Sequence, residues 1–314
     1  MIERTNDATT AKIPSVAVLI PCYNEESTIS KVVTDFKEVL PLAKIYVYDN
    51  RSTDKTAQKA KEAGASVVFV KKRGKGNVVR KMFSNIDADL YIIVDGDSTY
   101  NPKDAVTMLD TIVKEQVDMV VAARQEDSEK AYPIGHKFGN YMFNKMLAIL
   151  FGSEFQDIFS GYRAFSRRFV KTFPITSDGF DIEAELSIHA LSLSLPCVEI
   201  PSPYFERPEN SASKLSTVRD GFKILFSIIR LVQENRPLLF FGSIAFILCV
   251  ISLAIFDPIL QTYLKTGFVP RIPTLLISVA IMIAAFLSFG CGLILNSLSK
   301  TRIEIKKLHY LSIK

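Results

Sequence analysis

The sequence predicts an α/β fold with a mostly parallel sheet, followed by a membrane anchor, and three observations carry that expectation. From Val16 to Ala122, short apolar runs alternate with longer amphipathic stretches, the pattern of successive βαβ units. Three of the runs lead into acids, at Glu25, Asp49 and Asp95, and right-handed crossovers place such strand ends on one edge of a sheet. Beyond residue 237 lie two uncharged stretches, Leu238–Phe256 and Ile272–Leu298, of 19 and 27 residues. A helix of about 20 apolar residues spans a bilayer.

In order, Val16–Cys22 reads as the first strand, followed by Pro21-Cys-Tyr-Asn-Glu-Glu26 and a helix to about Leu40. Ile45–Tyr48 is the second strand and opens into Asp49-Asn-Arg-Ser-Thr-Asp54; Asp49 and Asp54 have a bland alternative as caps of the next helix. Ser66–Val70 is the third strand, and the basic glycine turn Lys71-Lys-Arg-Gly-Lys-Gly76 leads into another helix. Next comes Tyr91-Ile-Ile-Val-Asp-Gly-Asp-Ser-Thr99, an apolar strand ending in two carboxylates one residue apart. Two acids that close repel unless a cation lies between them, although Asp and Gly also make ordinary turns. A helix from Pro102 to Glu115 and a strand over Val117–Ala122, ending at Arg124, follow.

The polar segment Ala123–Tyr132 is expected to be a loop, and Gly135–Phe151 a helix. Then come Phe155-Gln-Asp-Ile-Phe-Ser-Gly-Tyr-Arg163, a helix over Asp181–Leu193, a strand over Cys197–Ile200, and a polar connector to Lys214 that carries Arg207. Val218, Phe222, Leu225, Ile229 and Val232 recur at helical spacing with cations beside them, as in a helix lying in a lipid headgroup layer. The expected organisation is a tail (1–14), a catalytic domain (15–213), an interfacial helix (214–236), two spans (237–299) and a basic tail (300–314).

Residues 1–14 lack the apolar core of a signal peptide, so targeting is expected from the spans. Four cations lie in the 20 residues before the first span and five follow the second, whereas only Lys265 and Arg271 lie between them. The positive-inside rule then puts both termini and the catalytic domain in the cytoplasm and Asp257–Arg271 outside. Gly290 and Gly292 would let a span pack closely against a neighbouring copy, allowing a homo-oligomer. The net charge of +5, without a basic, aromatic-laced stripe, excludes a nucleic-acid partner. Cys22, Cys197, Cys249 and Cys291 show no paired spacing, so neither a disulfide framework nor a metal cluster is expected.

Taken together, Pro21-Cys-Tyr-Asn-Glu25, Asp49 to Asp54, Asp95-Gly-Asp97 and Ser160-Gly-Tyr-Arg163 resemble family 2 glycosyltransferases with the GT-A fold. More narrowly, the chain is similar to the polyprenyl-phosphate glycosyltransferases, the group of dolichyl-phosphate mannose synthase and the GtrB-like bactoprenol glucosyltransferases. The resemblance implies that Pro21, Tyr23, Glu25, Asp49, Lys75 and Asp95 hold a nucleotide sugar. Asp97, with Asp95 beside it, would bind Mg²⁺ or Mn²⁺ at the diphosphate, and Arg124, Arg207 and Lys214 would handle phosphate groups. Asp157 would act with Asp97 at the reacting centre. In the mannose synthases a Gln two residues beyond the second Asp also reaches the metal; here that position is Thr99.

The implied reaction is inverting transfer of a sugar to undecaprenyl phosphate at the cytoplasmic membrane, for cell-envelope glycans. UDP-glucose is the first-choice donor; GDP-mannose, UDP-N-acetylglucosamine and modified arabinose are alternatives. Processive polysaccharide synthases share the core but carry a Gln-x-x-Arg-Trp motif, and this chain has no Trp. An inactive membrane scaffold is a third reading, disfavoured by the intact acids at all three strand ends. Arg163 has a bland alternative as a structural ion-pair partner.

Overall fold

The computed structural model describes residues 13–126, 145, 155–174, 182–205, 229–230, 232–269 and 271–313. The tail over 1–12, the helix expected over Gly135–Phe151, most of the amphipathic stretch, Arg207 and Lys214 lie outside the described residues. The chain forms two compact units, one built on a sheet and one on two long helices.

The sheet has seven strands in the order β3-β2-β1-β4-β6-β5-β7. They are β1 (Val16–Cys22), β2 (Lys44–Asp49), β3 (Ser66–Phe69), β4 (Leu90–Ile93), β5 (Met119–Glu126), β6 (Arg163–Ser166) and β7 (Cys197–Tyr204). β1 runs parallel to β2 and β4, β2 to β3, and β5 to β7; β6 is antiparallel to both its neighbours. The predicted α/β class and mostly parallel sheet are therefore what the chain adopts. β6 is an addition to the sequence reading. Four residues that begin with a buried arginine carry no apolar run or alternation to mark a strand.

Central strands such as β1 read as unbroken apolar runs because both faces are covered. Helix α1 (Ile29–Val39) buries Ile29, Val32, Val33 and Phe36, and α4 (Asp104–Glu115) buries Ala105, Met108, Leu109 and Ile112. These stripes join Val18, Ile20 and Cys22 of β1 in one core, together with Ala60 of α2 (Thr56–Glu62). Phe83 of α3 (Lys75–Asn85) makes edge contacts with Tyr91 and Phe165, and Phe165 packs at a shallow tilt on Phe169 of α5 (Arg167–Thr172). Helix α6 (Ile182–Leu193) adds His189 to this aromatic group.

In the second unit, α7 (Pro237–Thr266) and α8 (Ile272–Ser312) are long and apolar enough to cross a membrane, and most of each apolar window is uncovered. Beyond Pro237 at the start of α7, their buried positions recur every seven residues: Ala245, Ser252 and Ile259 on α7; Ser278, Ala285, Gly292 and Ser299 on α8. Mostly small side chains at that repeat let two helices approach closely. Ser252 Oγ donates to Ser278 O at 2.8 Å, and Ser288 Oγ to Phe241 O at 3.0 Å. A Cβ on Gly292 would stand 3.1 Å from Phe241 Cβ, so this glycine serves α7 of the same chain, whereas Gly290 faces open space. Asp257–Arg271, expected to be a loop, is helical through Thr266 and turns at Gly267 with φ +72°. The basic segment after residue 300 likewise continues α8. Charge ended the apolar reading at both places, but it does not end helical hydrogen bonding.

Candidate active site

β1, β2, β4, β5 and β7 all point the same way, and β6 begins at the edge where β4 and β5 end. Open α/β sheets place their sites at that carboxyl edge. The loops after β1, β2 and β4 and the segment 155–162 before β6 therefore converge there.

The first two loops are stitched to each other. Asn24 N donates to Ser52 Oγ at 2.9 Å, Glu25 N to Thr56 Oγ1 at 2.8 Å, and Glu26 N to Asp54 Oδ2 at 3.2 Å. In return, Thr53 N donates to Asn24 Oδ1 and Lys55 N to Glu26 Oε2, at 2.8 and 2.9 Å. Asn24 and Arg51 hold φ of +53° and +65°, a costly region for residues with side chains, and this lacing offsets the strain. Asp54 accepts from Thr56 N and Oγ1 just ahead of α2, whose N-cap is Lys55. Asp49 is buried and accepts from Ser52 N at 3.2 Å.

Asn50, which the sequence reading passed over, donates to Val70 O and Lys72 O and accepts from Gly74 N at 2.9 Å. It thereby shapes the basic turn, where Gly74 has φ +115°. Arg73 of that turn lies over the Tyr23 ring, 5.7 Å from its centroid. Pro21 pairs in register with Tyr48 one strand over.

Asp95 and Asp97 diverge after β4. Lys75 Nζ sits 2.6 Å from Asp95 Oδ1 and 2.5 Å from Glu183 Oε1, with side-chain exposures of 13%, 28% and 8% for Lys75, Asp95 and Glu183. Burial alone would favour the neutral amine, but the charges of Asp95 and Glu183 outweigh it and raise Lys75 above its ordinary range. Glu183 was missed because an acid in the first turn of a helix is the commonest capping pattern and needs no other explanation. Asp97 is 2% exposed, and its Oδ1 accepts from Thr99 Oγ1 at 2.6 Å and Thr99 N at 3.3 Å. Ser98 between them has φ +61°. Thr28 Oγ1 donates to Gly96 O at 2.6 Å and ties this turn to the start of α1.

Asp157 is gripped by Arg124: Nε to Oδ2 at 2.6 Å, Nη2 to Oδ1 at 2.8 Å and the backbone N to Oδ2 at 3.2 Å. Arg124 also lies over the Tyr204 ring, 5.4 Å from its centroid. The expected phosphate cation is thus committed first to a carboxylate and an aromatic face. Arg163, 1% exposed, donates from Nε to Ser160 O at 2.8 Å, from Nη1 to Ser187 Oγ at 2.9 Å and from Nη2 to Ile158 O. Its structural role is to hold the backbone that carries Asp157, through carbonyls and a hydroxyl. Tyr100 Oη accepts from Gly161 N at 2.9 Å, and a Cβ on Gly161 would run into the Asp95 carboxylate. The loop before β6 is therefore seated directly on Asp95.

Burial would raise the Asp157 carboxyl, but the hydrogen bonds and charge of Arg124 hold it below the usual range. Its stabilising contribution is therefore complete above the unfolded value of about 3.9 and is lost as pH falls through the folded value. Asp157→Asn is expected to melt lower at neutral pH and to show a flatter loss of melting temperature below about pH 4 than the wild type, as read by thermal scans across that range.

Among the described residues, no group of three or more His, Cys, Asp or Glu side chains could form a complete metal cage. What the edge does provide is a buried carboxylate, Asp97, with one oxygen fixed by a hydroxyl. Mg²⁺ is typically held by one or two carboxylates, with phosphate oxygens and water completing its shell, so this donor set fits a hard cation that arrives with a diphosphate. Asp95 differs from Asp97 in already facing the Lys75 ammonium.

The model of the family described as "Glycosyl transferase family 2" matches residues 17–173. Glycosyltransferase AglJ of Haloferax volcanii is 37% identical over 234 residues, 74% of this chain and 77% of that protein. A dolichyl-phosphate hexose transferase of the same organism is 27% identical over 221 residues, covering 70% and 95%. Among solved structures, glucosyl-3-phosphoglycerate synthase from Mycobacterium tuberculosis, in complex with Mn²⁺, UDP and phosphoglyceric acid, superposes with a TM-score of 0.55 at 22% identity, over 68% of this chain and 78% of that one. At that identity the likeness concerns the fold, which is GT-A-like.

Proposed function

The chain belongs to glycosyltransferase family 2, and from that premise we propose that it transfers a hexose from a nucleotide sugar to a polyprenyl phosphate at a membrane face. The observation that carries the reading is the convergence of Asp49, Glu25 and the pair Asp95 and Asp97 at the carboxyl ends of the three neighbouring parallel strands β2, β1 and β4, in a chain with two membrane-length helices. The relative named for dolichyl-phosphate hexose transfer supports the acceptor class. UDP-glucose is the first donor to try and undecaprenyl phosphate the first acceptor. The cation count around the spans supports placing the catalytic domain on the cytoplasmic side, and the inner membrane is the membrane proposed.

In this reading Pro21, Tyr23, Glu25 and Asp49 cradle the nucleoside, on loops already laced to each other. Asp97 would hold Mg²⁺ or Mn²⁺, which when bound supplies positive charge to the departing diphosphate. Lys75, kept protonated by Asp95 and Glu183, adds a fixed ammonium beside that carboxylate pair. An oxygen of the acceptor phosphate attacks the anomeric carbon as its bond to the diphosphate oxygen breaks, with inversion. With a second pKa of about 6 by analogy with phosphoserine, the acceptor is already ionised at neutral pH and needs no strong base. Asp157, with both oxygens engaged by Arg124, suits orientation rather than deprotonation. Arg207 and Lys214 are proposed to neutralise phosphate.

The test is transfer of radiolabel from a panel of sugar nucleotides, UDP-glucose first, into the organic phase with undecaprenyl phosphate. Wild-type protein is expected to label the lipid, and Asp97→Ala to reduce the rate by roughly 100-fold or more. Equal labelling by the two proteins would refute the assigned site, and no labelling with any donor would refute the reaction.

A further inference from the structure

We propose that Thr99 is the positioning residue of the divalent-cation site, acting through Asp97; this rests on the reading of Asp97 given above. Thr99 is wholly buried and its hydroxyl lies 2.6 Å from Asp97 Oδ1, with its amide at 3.3 Å from the same oxygen. Two donors from one residue fix both the position and the rotation of a short carboxylate side chain. Ser98, at φ +61°, makes the reversal that brings Thr99 back over Asp97. A left-handed residue that is not glycine costs of order 1–3 kcal/mol and persists only when its surroundings over-determine it. The surroundings do so here on both sides. Thr28 Oγ1 holds Gly96 O at 2.6 Å, and Thr99 O accepts from Phe205 N at 2.9 Å.

The turn is therefore clamped before and after Asp97, and the strain is placed where it aims one carboxylate. A turn needed only to reverse the chain would be met by Asp and Gly alone; a buried hydroxyl at charge-assisted distance is an additional device. Groups that orient a metal's carboxylate ligand contribute 10–100-fold to metal affinity when removed singly. Thr99 thus serves cation affinity from behind the ligand, and the chain needs no amide side chain at this position.

The test measures Mn²⁺ binding by electron paramagnetic resonance on the full-length protein in detergent, with UDP present, and UDP binding by calorimetry without metal. Thr99→Val is expected to weaken Mn²⁺ binding about tenfold or more while metal-free UDP binding is unchanged. Thr99→Ser, which keeps the hydroxyl, is expected to restore Mn²⁺ affinity. Wild-type Mn²⁺ affinity in Thr99→Val, with affinity lost in Asp97→Asn, overturns the Thr99 role and leaves the function proposed above intact. Wild-type Mn²⁺ affinity in Asp97→Asn overturns the cation site itself and Thr99 with it. Equal losses of Mn²⁺ and metal-free UDP binding in Thr99→Val overturn the proposal in favour of a purely structural turn. If Thr99→Val does not fold, Thr99→Ala carries the same comparison.

Discussion

Lys75→Met is expected to cost the catalytic unit about 3–5 kcal/mol, the range for removing one partner of a buried ion pair. Lys75 Nζ lies within 2.6 Å of both Asp95 Oδ1 and Glu183 Oε1, so its loss leaves two carboxylates facing each other with no cation between them. Desolvation is what makes the removal expensive, since the Glu183 and Lys75 side chains are only 8% and 13% exposed. The double variant Lys75→Met/Glu183→Gln is therefore expected to recover part of the loss, because it removes the repulsion created by the first change. Unfolding is measurable with a thiol-reactive dye, since Cys22 is buried in the core beside this edge. A change of that size corresponds to a fall of roughly 6–20 °C in melting temperature. A melt within about 2 °C of wild type would mean that the lysine is not holding the two acids together.

The contrast between Asp95 and Glu183 shows which parts of this site a sequence can disclose. Asp49, Asp95 and Asp97 were legible because each follows an apolar run, and a parallel sheet brings the ends of such runs to one edge. Spacing along the chain encoded their spacing in space. Glu183 lies 108 residues beyond Lys75, on a helix that reaches the edge from another direction, and nothing local sets it apart. Asn50 and Thr28 were hidden for a different reason. They bind backbone carbonyls, and a side chain's choice of a distant carbonyl leaves no mark on its neighbours. Arg124 was expected to handle phosphate, and the partner that the fold gives it, Asp157, could not be read. Whether an arginine at a strand end meets a phosphate or a carboxylate is decided by the loop that folds over it, here the one carrying Asp157.

Arg163→Met is expected to destabilise the same unit by a comparable amount, about 3–5 kcal/mol, by a different route. Arg163 is 1% exposed and serves Ser160 O, Ile158 O and Ser187 Oγ at once. Bonds from a charged donor contribute about 1.5–3 kcal/mol each, and the acceptors left behind are buried and lose their donor together. Arg163→Lys keeps the charge but not the planar fan of donors, so it is expected to recover less than half of the loss. The two predicted losses differ in what they do to Asp157. Lys75→Met leaves the segment 157–160 anchored, whereas Arg163→Met releases the carbonyls on either side of Phe159 and with them the backbone that presents Asp157 to Arg124. Proteolysis at 155–162 is therefore expected to accelerate in Arg163→Met at temperatures where the rest of the sheet is intact, and to stay at the wild-type rate in Lys75→Met below its melt. Equal protection of that segment in Arg163→Met and wild type would show that the buried guanidinium is a passenger of the fold and not its fastening.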